Sequence, residues 1–415
     1  MKANTDLASL EPIPFARPDI GPEEEAAVLR IMRSGWLTTG AETLAFEQAF
    51  AAFVGSPHAL AVNSATSGLH LALEALGIGP GDTVITSPYT FTSSAAVILH
   101  QRAEVVFCDT APGSANLDPL ALEQVLAKTR NVRAIIAVHV GGLPCDMDAI
   151  LALAANYGCA VIEDAAHAFP VRSGSAGARD GAAGAHDGAA WAGTRGTIGV
   201  YSFYATKTIT TGDGGMVVTA DPKLAARMAL MRMHGIDRTV WSRYTDTKAS
   251  WQYNVTEAGF KYNLPDILSA IGKVQLGRAL GFVAERQAIA ALYNQRFAGL
   301  PGLSLPPGAE FAGSAAGPDI RHAWHLYALR VGDGQSDQPR NRLGGYLQAA
   351  GIGVSVHFIP LHLMPFYAVR YQLTPEDFPN ALRTYRQSLS LPIWQGMGLE
   401  RASRVADAVV AGTNG

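Results

Sequence analysis

The chain has 415 residues, 48% of them hydrophobic and 16% charged, with a formal net charge of -3 and a pI near 6.4. That length supports a sizeable core, in two domains or in one domain with a lobe. The lack of a basic surplus argues against nucleic acid or an anionic membrane as partner. Cys108, Cys145 and Cys159 form no CxxC or Cys/His metal spacing and fit free thiols in a reducing cytosol. The opening residues, MKANTDLASLEP, carry acids and no apolar centre, unlike a signal peptide. No apolar run approaches the ~20 residues of a membrane span, so the expectation is a cytoplasmic protein with no membrane partner, whose residues 1–20 are extended.

From there to about residue 300, short apolar runs alternate with amphipathic helical ones. HALAVNS (58–64) reads as a strand, and Leu69, Ala72, Leu73 and Leu76 then recur at helical spacing. TVITSP (83–88) and AEVVFCD (103–109) are further strands. Asp118 and Pro119 open a helix, with aspartate as N-cap and proline in the first turn. VRAIIAVHV (132–140) is apolar almost throughout, as a parallel strand covered on both faces should be. ILALAANYG (150–158) is a helix ending in glycine, and CAVIEDA (159–165) a buried strand. This rhythm predicts an α/β fold: a mostly parallel sheet with helices on both faces.

Residues 172–196 interrupt it with a Gly/Ala-rich stretch that reads as a flexible surface insertion. Beyond residue 300 the pattern is irregular and broken by prolines. Residues 301–415 therefore read as a smaller C-terminal α+β domain beside a large domain over 1–300.

Three features sit at predicted C-terminal strand ends, where open α/β sheets bind ligands. Asn63 to Gly68 links a strand to a helix, gathering backbone amides and the hydroxyls of Ser64, Thr66 and Ser67 at a helix N-terminus. That suits a phosphate, although ordinary helix capping explains it equally. Asp164 ends a buried strand, where a carboxylate is costly unless a cation meets it or it caps a helix. Lys207 follows the aromatic run YSFYAT and precedes a GDGG turn. A partly desolvated lysine has a lowered pKa and can act as an amine, while the ordinary alternative is a surface lysine.

Together the three fit one cofactor. Pyridoxal phosphate needs a lysine Schiff base, an acid on its pyridine nitrogen and an anchor for its phosphate. Tyr89 and Phe91, in SPYTFTSS, offer an aromatic cover for its ring.

The motifs SGWLTTG (34–40), NSATSGLHLAL (63–73), VIEDAAHA (161–168), SFYATKTITTGDGG (202–215), FKYNLPDILSAIG (260–272) and RHAWHLY (321–327) occur in one order. In this, nearly the whole chain resembles the DegT/DnrJ/EryC1/StrS sugar aminotransferases. Within that family it resembles the branch acting on UDP-linked 4-keto sugars, the group of the UDP-4-amino-4-deoxy-L-arabinose aminotransferases. The resemblance implies the fold of type I pyridoxal-phosphate aminotransferases. It implies catalysis by Lys207, as Schiff-base lysine and proton shuttle, with Asp164 as pyridine-nitrogen partner. It places His167 beside the cofactor ring and Phe91 on its face. Thr66 and Ser67 become backbone phosphate donors, Ser202 a side-chain donor, and Asn263 a phosphate contact from the partner subunit of a homodimer. L-glutamate and a nucleotide-linked keto sugar are the implied substrates in a ping-pong reaction, with no metal. Trp324, His325 and VHFIPLH (356–362) lie in parts resembling substrate-lobe segments. Two departures stand out: the Gly/Ala stretch lengthens the gap from Asp164 to Lys207, and Tyr204 stands where the family often has histidine. A cyclitol aminotransferase or a non-catalytic pyridoxal-phosphate-binding regulator remains the alternative.

Overall fold

Seven strands form the central sheet of the computed structural model, which describes residues 11–174, 190–237, 253–313 and 320–413. In chain order the strands are β1 (His58–Val62), β2 (Thr83–Thr86), β3 (Glu104–Phe107), β4 (Val132–Val138), β5 (Ala160–Asp164), β6 (Arg172–Ser173), β7 (Ala190–Trp191), β8 (Ile198–Ser202), β9 (Gly215–Thr219), β10 (Leu303–Ser304), β11 (Tyr327–Val331) and β12 (Ser388–Leu391). The large sheet has the order β1-β9-β8-β5-β4-β2-β3. Every neighbouring pair is parallel except those of β9, which runs antiparallel to both β1 and β8. The chain is thus an α/β protein with a mostly parallel central sheet.

Both faces of that sheet are covered, which is why its strands are apolar on both sides. Ile136, Val138 and Ile162 join a core with helices Ala65–Ala75 and Ser93–His100. Their neighbours Ile135, Ala137 and Val161 point the other way, into the core with helices Pro119–Lys128 and Met147–Tyr157. Asp118 caps the first of these by accepting from the Leu120 amide (3.1 Å), and Gly158 ends the second in the left-handed conformation (φ 67°).

The second, three-stranded sheet, β10-β11-β12, belongs to a separate core around Trp324, Tyr327, Leu343 and Val405. Two segments from elsewhere enter that core. One is Ile13, whose backbone bonds to Gly351 and Gly353. The other is the end of helix Asp266–Phe297, with Tyr293 and Phe297. One stretch of this helix is long and apolar enough to cross a membrane by length and composition, contrary to the expectation that no run approaches a span. Interspersed polar residues break the run in sequence while its average stays high, and the helix packs against the first two helices and the last as a core spine.

Of the expected insertion at 172–196, residues 175–189 lie outside the described residues. Its two ends pair with each other as β6 and β7, where the Arg172 guanidinium lies 3.7 Å from the Trp191 ring centre.

Candidate active site

Helix Ala65–Ala75 starts immediately after β1, with Ser64 as its N-cap. The Ser64 hydroxyl accepts from the Ser67 amide (3.1 Å), and the Ser67 hydroxyl donates to Asn63 Oδ1 (2.7 Å). The cap therefore uses the Ser67 amide, and the preceding Ala65 and Thr66 amides are first-turn donors that no helical carbonyl can reach. Capping and an anion seat coexist here. Two glycines set the helix against the sheet. A Cβ on Gly68 would lie 2.8 Å from Val200 and 2.9 Å from Val217, and one on Gly215 would lie 2.8 Å from the Ala65 nitrogen. Gly215 pairs with Ser202 across β8 and β9, so Ser202 sits one strand from the helix start.

Lys207 lies beyond the end of β8, in a loop tied at its neck. Phe203 and Gly214 bond backbone to backbone (2.9 Å), and Phe203 O also accepts from the Thr211 amide (3.0 Å) and the Thr210 hydroxyl (3.0 Å). The Lys207 residue is half-buried, and among the described residues its amine has no hydrogen-bond partner. Burial pushes that amine down to about 8; the charge of Asp164 opposes the shift and that of Arg286 adds to it.

Asp164 is the last residue of β5 and 5% exposed. Its Oδ2 accepts from the Ser94 hydroxyl (2.9 Å) and its Oδ1 from the Ala166 amide (3.2 Å). Burial raises its carboxyl above the usual range against the pull of those donors and of Lys207. Sequence reasoning did not single out Ser94, whose hydroxyl also shares a hydrogen bond with Thr90 (2.9 Å). A serine in the helix turn following SPYTFT was the available signal.

His167 is buried, and its Nδ1 accepts from the Gly141 amide (3.2 Å), which leaves the proton on Nε2. Burial holds this imidazole well below the usual range. Its ring lies 4.3 Å from that of His325 and 5.8 Å from that of Phe358. Phe358 in turn meets Phe91 at 6.1 Å. Of the two aromatics that SPYTFTSS offers, Phe91 is 58% exposed, whereas Tyr89 is 1% exposed and donates to the His357 carbonyl (2.8 Å). Phe91 is the one with a free face. His325 is buried with its Nδ1 unpartnered, whereas Trp324 is fully buried in the second core and stacked on His322, away from solvent. A cleft between the two cores, lined by Tyr89, Asn116, Gly141, His322, Arg330 and His357, opens next to these imidazoles.

Asn263 is placed beside Val62, at the end of β1. Its amide donates to Thr39 Oγ1 (2.6 Å) and its Oδ1 accepts from Lys261, so the side chain is bonded within its own chain.

These residues fit pyridoxal phosphate. Asp164 keeps acceptor capacity for a cationic ring nitrogen, Lys207 has an unengaged amine, and the Gly215 approach leaves room only for backbone beside the helix start. Comparison with known proteins agrees. Residues 18–410 match the model of the DegT/DnrJ/EryC1/StrS aminotransferase family. The chain is 41% identical over 398 residues to the spore coat polysaccharide biosynthesis protein SpsC of Bacillus subtilis, covering 96% of each. It is similar to the sugar aminotransferase Spr1654 of Streptococcus pneumoniae in its PLP form (TM-score 0.83, 27% identity, 97% of this chain and 99% of that one). Helicobacter pylori PseC, an aminotransferase involved in pseudoaminic acid biosynthesis, is likewise similar (TM-score 0.83, 26% identity, 97% and 100%). The chain belongs to the DegT/DnrJ/EryC1/StrS aminotransferase family, with the type I aminotransferase fold and pyridoxal phosphate as its cofactor.

Proposed function

We propose that the protein transfers an amino group from L-glutamate to a nucleotide-linked keto sugar, with a UDP-linked 4-keto sugar as acceptor, in the cytoplasm. The observation that carries this reading is the free Lys207 amine beside the part-satisfied carboxylate of Asp164, at the C-terminal ends of neighbouring parallel strands. The polysaccharide role in SpsC's name and the sugar product in PseC's support the substrate class. The UDP group and the 4-keto position rest on the motif resemblance.

Pyridoxal phosphate supplies an electron-accepting ring and a carbonyl carbon that exchanges amines. Lys207 would hold that carbon through Nζ, and its amine, once free, would be the base that takes the amino donor's α-proton. An amine with a value near 8 suits both tasks at neutral pH. Asp164 would hold the ring nitrogen and keep it protonated, while Ser94 and the Ala166 amide hold the carboxylate in place. His167, kept neutral by burial, presents Nε2–H beside the ring. Ser202 and the Thr66 amide would hold the phosphate at the helix start, Ser67 would join them once its amide leaves the Ser64 cap, and Phe91 would cover the open face.

The active form in this reading is a homodimer, with Asn263 completing the phosphate site across the interface. The exposed apolar residues Leu37 and Leu44 support it, because they lie close in the chain on either side of Thr39, the hydrogen-bond partner of Asn263.

The test is a panel of UDP-, GDP- and dTDP-linked keto sugars incubated with glutamate and analysed by mass spectrometry. Amination of UDP-linked sugars first is expected. No aminated product from any member sinks the proposal. Glutamate alone converts the cofactor absorbance in a catalyst and leaves it unchanged in a non-catalytic regulator.

A further inference from the structure

Arg286, on helix Asp266–Phe297, is 1% exposed. Its guanidinium donates to the carbonyls of Trp324 (3.0 Å), His325 (3.4 Å) and Ile393 (2.8 Å). It also donates to Gln395 Oε1, at 3.2 Å from Nε and 2.9 Å from Nη2. The same Gln395 side chain donates from Nε2 to the carbonyl of Thr208 (3.3 Å), the residue after Lys207. One arginine thus ties together the RHAWHLY segment, the strand-end segment at 393–395 and the loop that carries the reactive amine.

All its acceptors are neutral oxygens. Among the described residues no carboxylate bonds to it; neighbouring Glu285 is exposed, its carboxylate accepts from the Gly396 amide (2.7 Å), and it acts on the guanidinium only through its charge. Tying loops together needs donors but not a charge, and a buried charge without an opposite partner is expensive. The surroundings of Lys207 give the charge a use. Asp164, from β5, is the anion acting most strongly on the amine among the described residues. The imidazoles of His167, His325 and His357 are held neutral by burial, the last down to about 4. Arg286 is the cation that opposes that carboxylate there.

We propose that Arg286 is a positioning residue for Lys207: through Gln395 it fixes the loop that carries the amine, and it places a fixed buried cation in the surroundings of that amine. This rests on the reading of Lys207 as the cofactor-bearing amine. A fixed cation near a lysine disfavours protonation as burial does, and unlike burial it can be switched by one substitution.

The experiment uses full-length protein stripped of cofactor. Labelling of Lys207 by an amine-acylating reagent is followed against pH, with the modified peptide quantified by mass spectrometry. Arg286→Met removes the charge, and Arg286→Gln removes it while keeping side-chain N–H donors. Both should move the labelling midpoint upward, by on the order of one pH unit. Arg286→Lys keeps the charge and should titrate close to the parent. A parental midpoint in both neutralising variants overturns the proposal, and so does an Arg286→Lys shift as large as that of Arg286→Met. If Arg286→Met does not fold, Arg286→Gln alone decides. Failure of the underlying reading shows up separately, as cofactor absorbance at the bound position surviving in Lys207→Ala.

Discussion

Glu163 and Asp164 are adjacent on β5, 0% and 5% exposed, and they face opposite sides of the sheet. The Glu163 carboxylate is saturated. It accepts from His139 Nε2 (3.0 Å) and from the amides of Gly193 (2.8 Å), Arg195 (2.7 Å) and Gly196 (2.6 Å). The Cys145 amide donates to His139 Nδ1 (3.1 Å), which leaves the His139 proton facing the carboxylate. Burial alone would raise the Glu163 carboxyl; these donors bring it below the usual range. Asp164 has two donors, and burial wins. Two carboxylates buried to nearly the same depth thus differ in how completely the protein compensates them. Full compensation makes Glu163 a clasp for the turn that leads into β8. Partial compensation leaves Asp164 with room for a positive group from outside the chain.

The sharpest test of the contrast is Asp164→Ala. Aminotransferase turnover should fall by about two to four orders of magnitude, the scale of a lost proton-holding partner, with a thermal midpoint near the parent's. Steady-state rates and a melting curve on one preparation check both halves. Glu163→Gln should do the reverse. Removing one partner of a buried charged cluster costs about 3–5 kcal/mol, so the denaturation midpoint should drop while the folded fraction keeps a near-parental kcat. A large kcat loss in soluble, folded Glu163→Gln would erase the distinction. Ser94→Ala, which takes one of the two donors from Asp164, should cost about 1–2 kcal/mol, read as a roughly tenfold loss in kcat/KM with little change in stability.

The subtlest contrast needs no substrate. Glu163 has a folded value below its usual 4.5, so its stabilisation is complete above pH 4.5 and drains away as pH falls through the folded value. The stability gap between parent and Glu163→Gln should therefore narrow on acidification. Asp164 has a folded value above its usual 3.8, so over that interval the folded state holds a proton the unfolded chain has released. Parental stability loses this contribution as pH rises from 3.8 to the folded value, and Asp164→Asn should gain on the parent there. Denaturant titrations at a series of pH values measure both gaps; movement in the same direction would break the comparison.

Much of this was legible in the sequence for a physical reason. A parallel strand covered on both faces is a nearly unbroken apolar run, so 132–140 and 159–165 announced β4 and β5 to within two residues at each end. Asp164 stood out as a charge closing such a run, and Lys207 as a lysine between an aromatic strand and a turn. What stayed hidden depends on distance through space. Ser94 and Asp164 are 70 residues apart, and nothing local predicts their bond. Arg286 lies on a helix whose sequence mixes charged and apolar residues, and its burial depends on two segments converging from elsewhere. The GDGG stretch read as a tight turn, but the direction in which β9 then pairs is a property of the sheet. Trp324 resembled a substrate-lobe residue by motif; its burial is decided by packing against Tyr327 and His322.

The reversed strand β9 has a consequence for how this chain can change length. One edge of it pairs with β8 and the other with β1, and its first residue, Gly215, touches the start of helix Ala65–Ala75. A single residue added or lost between Phe203 and Gly214 would shift every partner of β9 and turn its side chains to the opposite face. That segment is frozen in length. Between Ser173 and Ala190, by contrast, β6 and β7 return the chain to the place it left, so a longer excursion costs only the slowly growing entropy of a closed loop. The extra length that separates Asp164 from Lys207 sits where the architecture is indifferent to it.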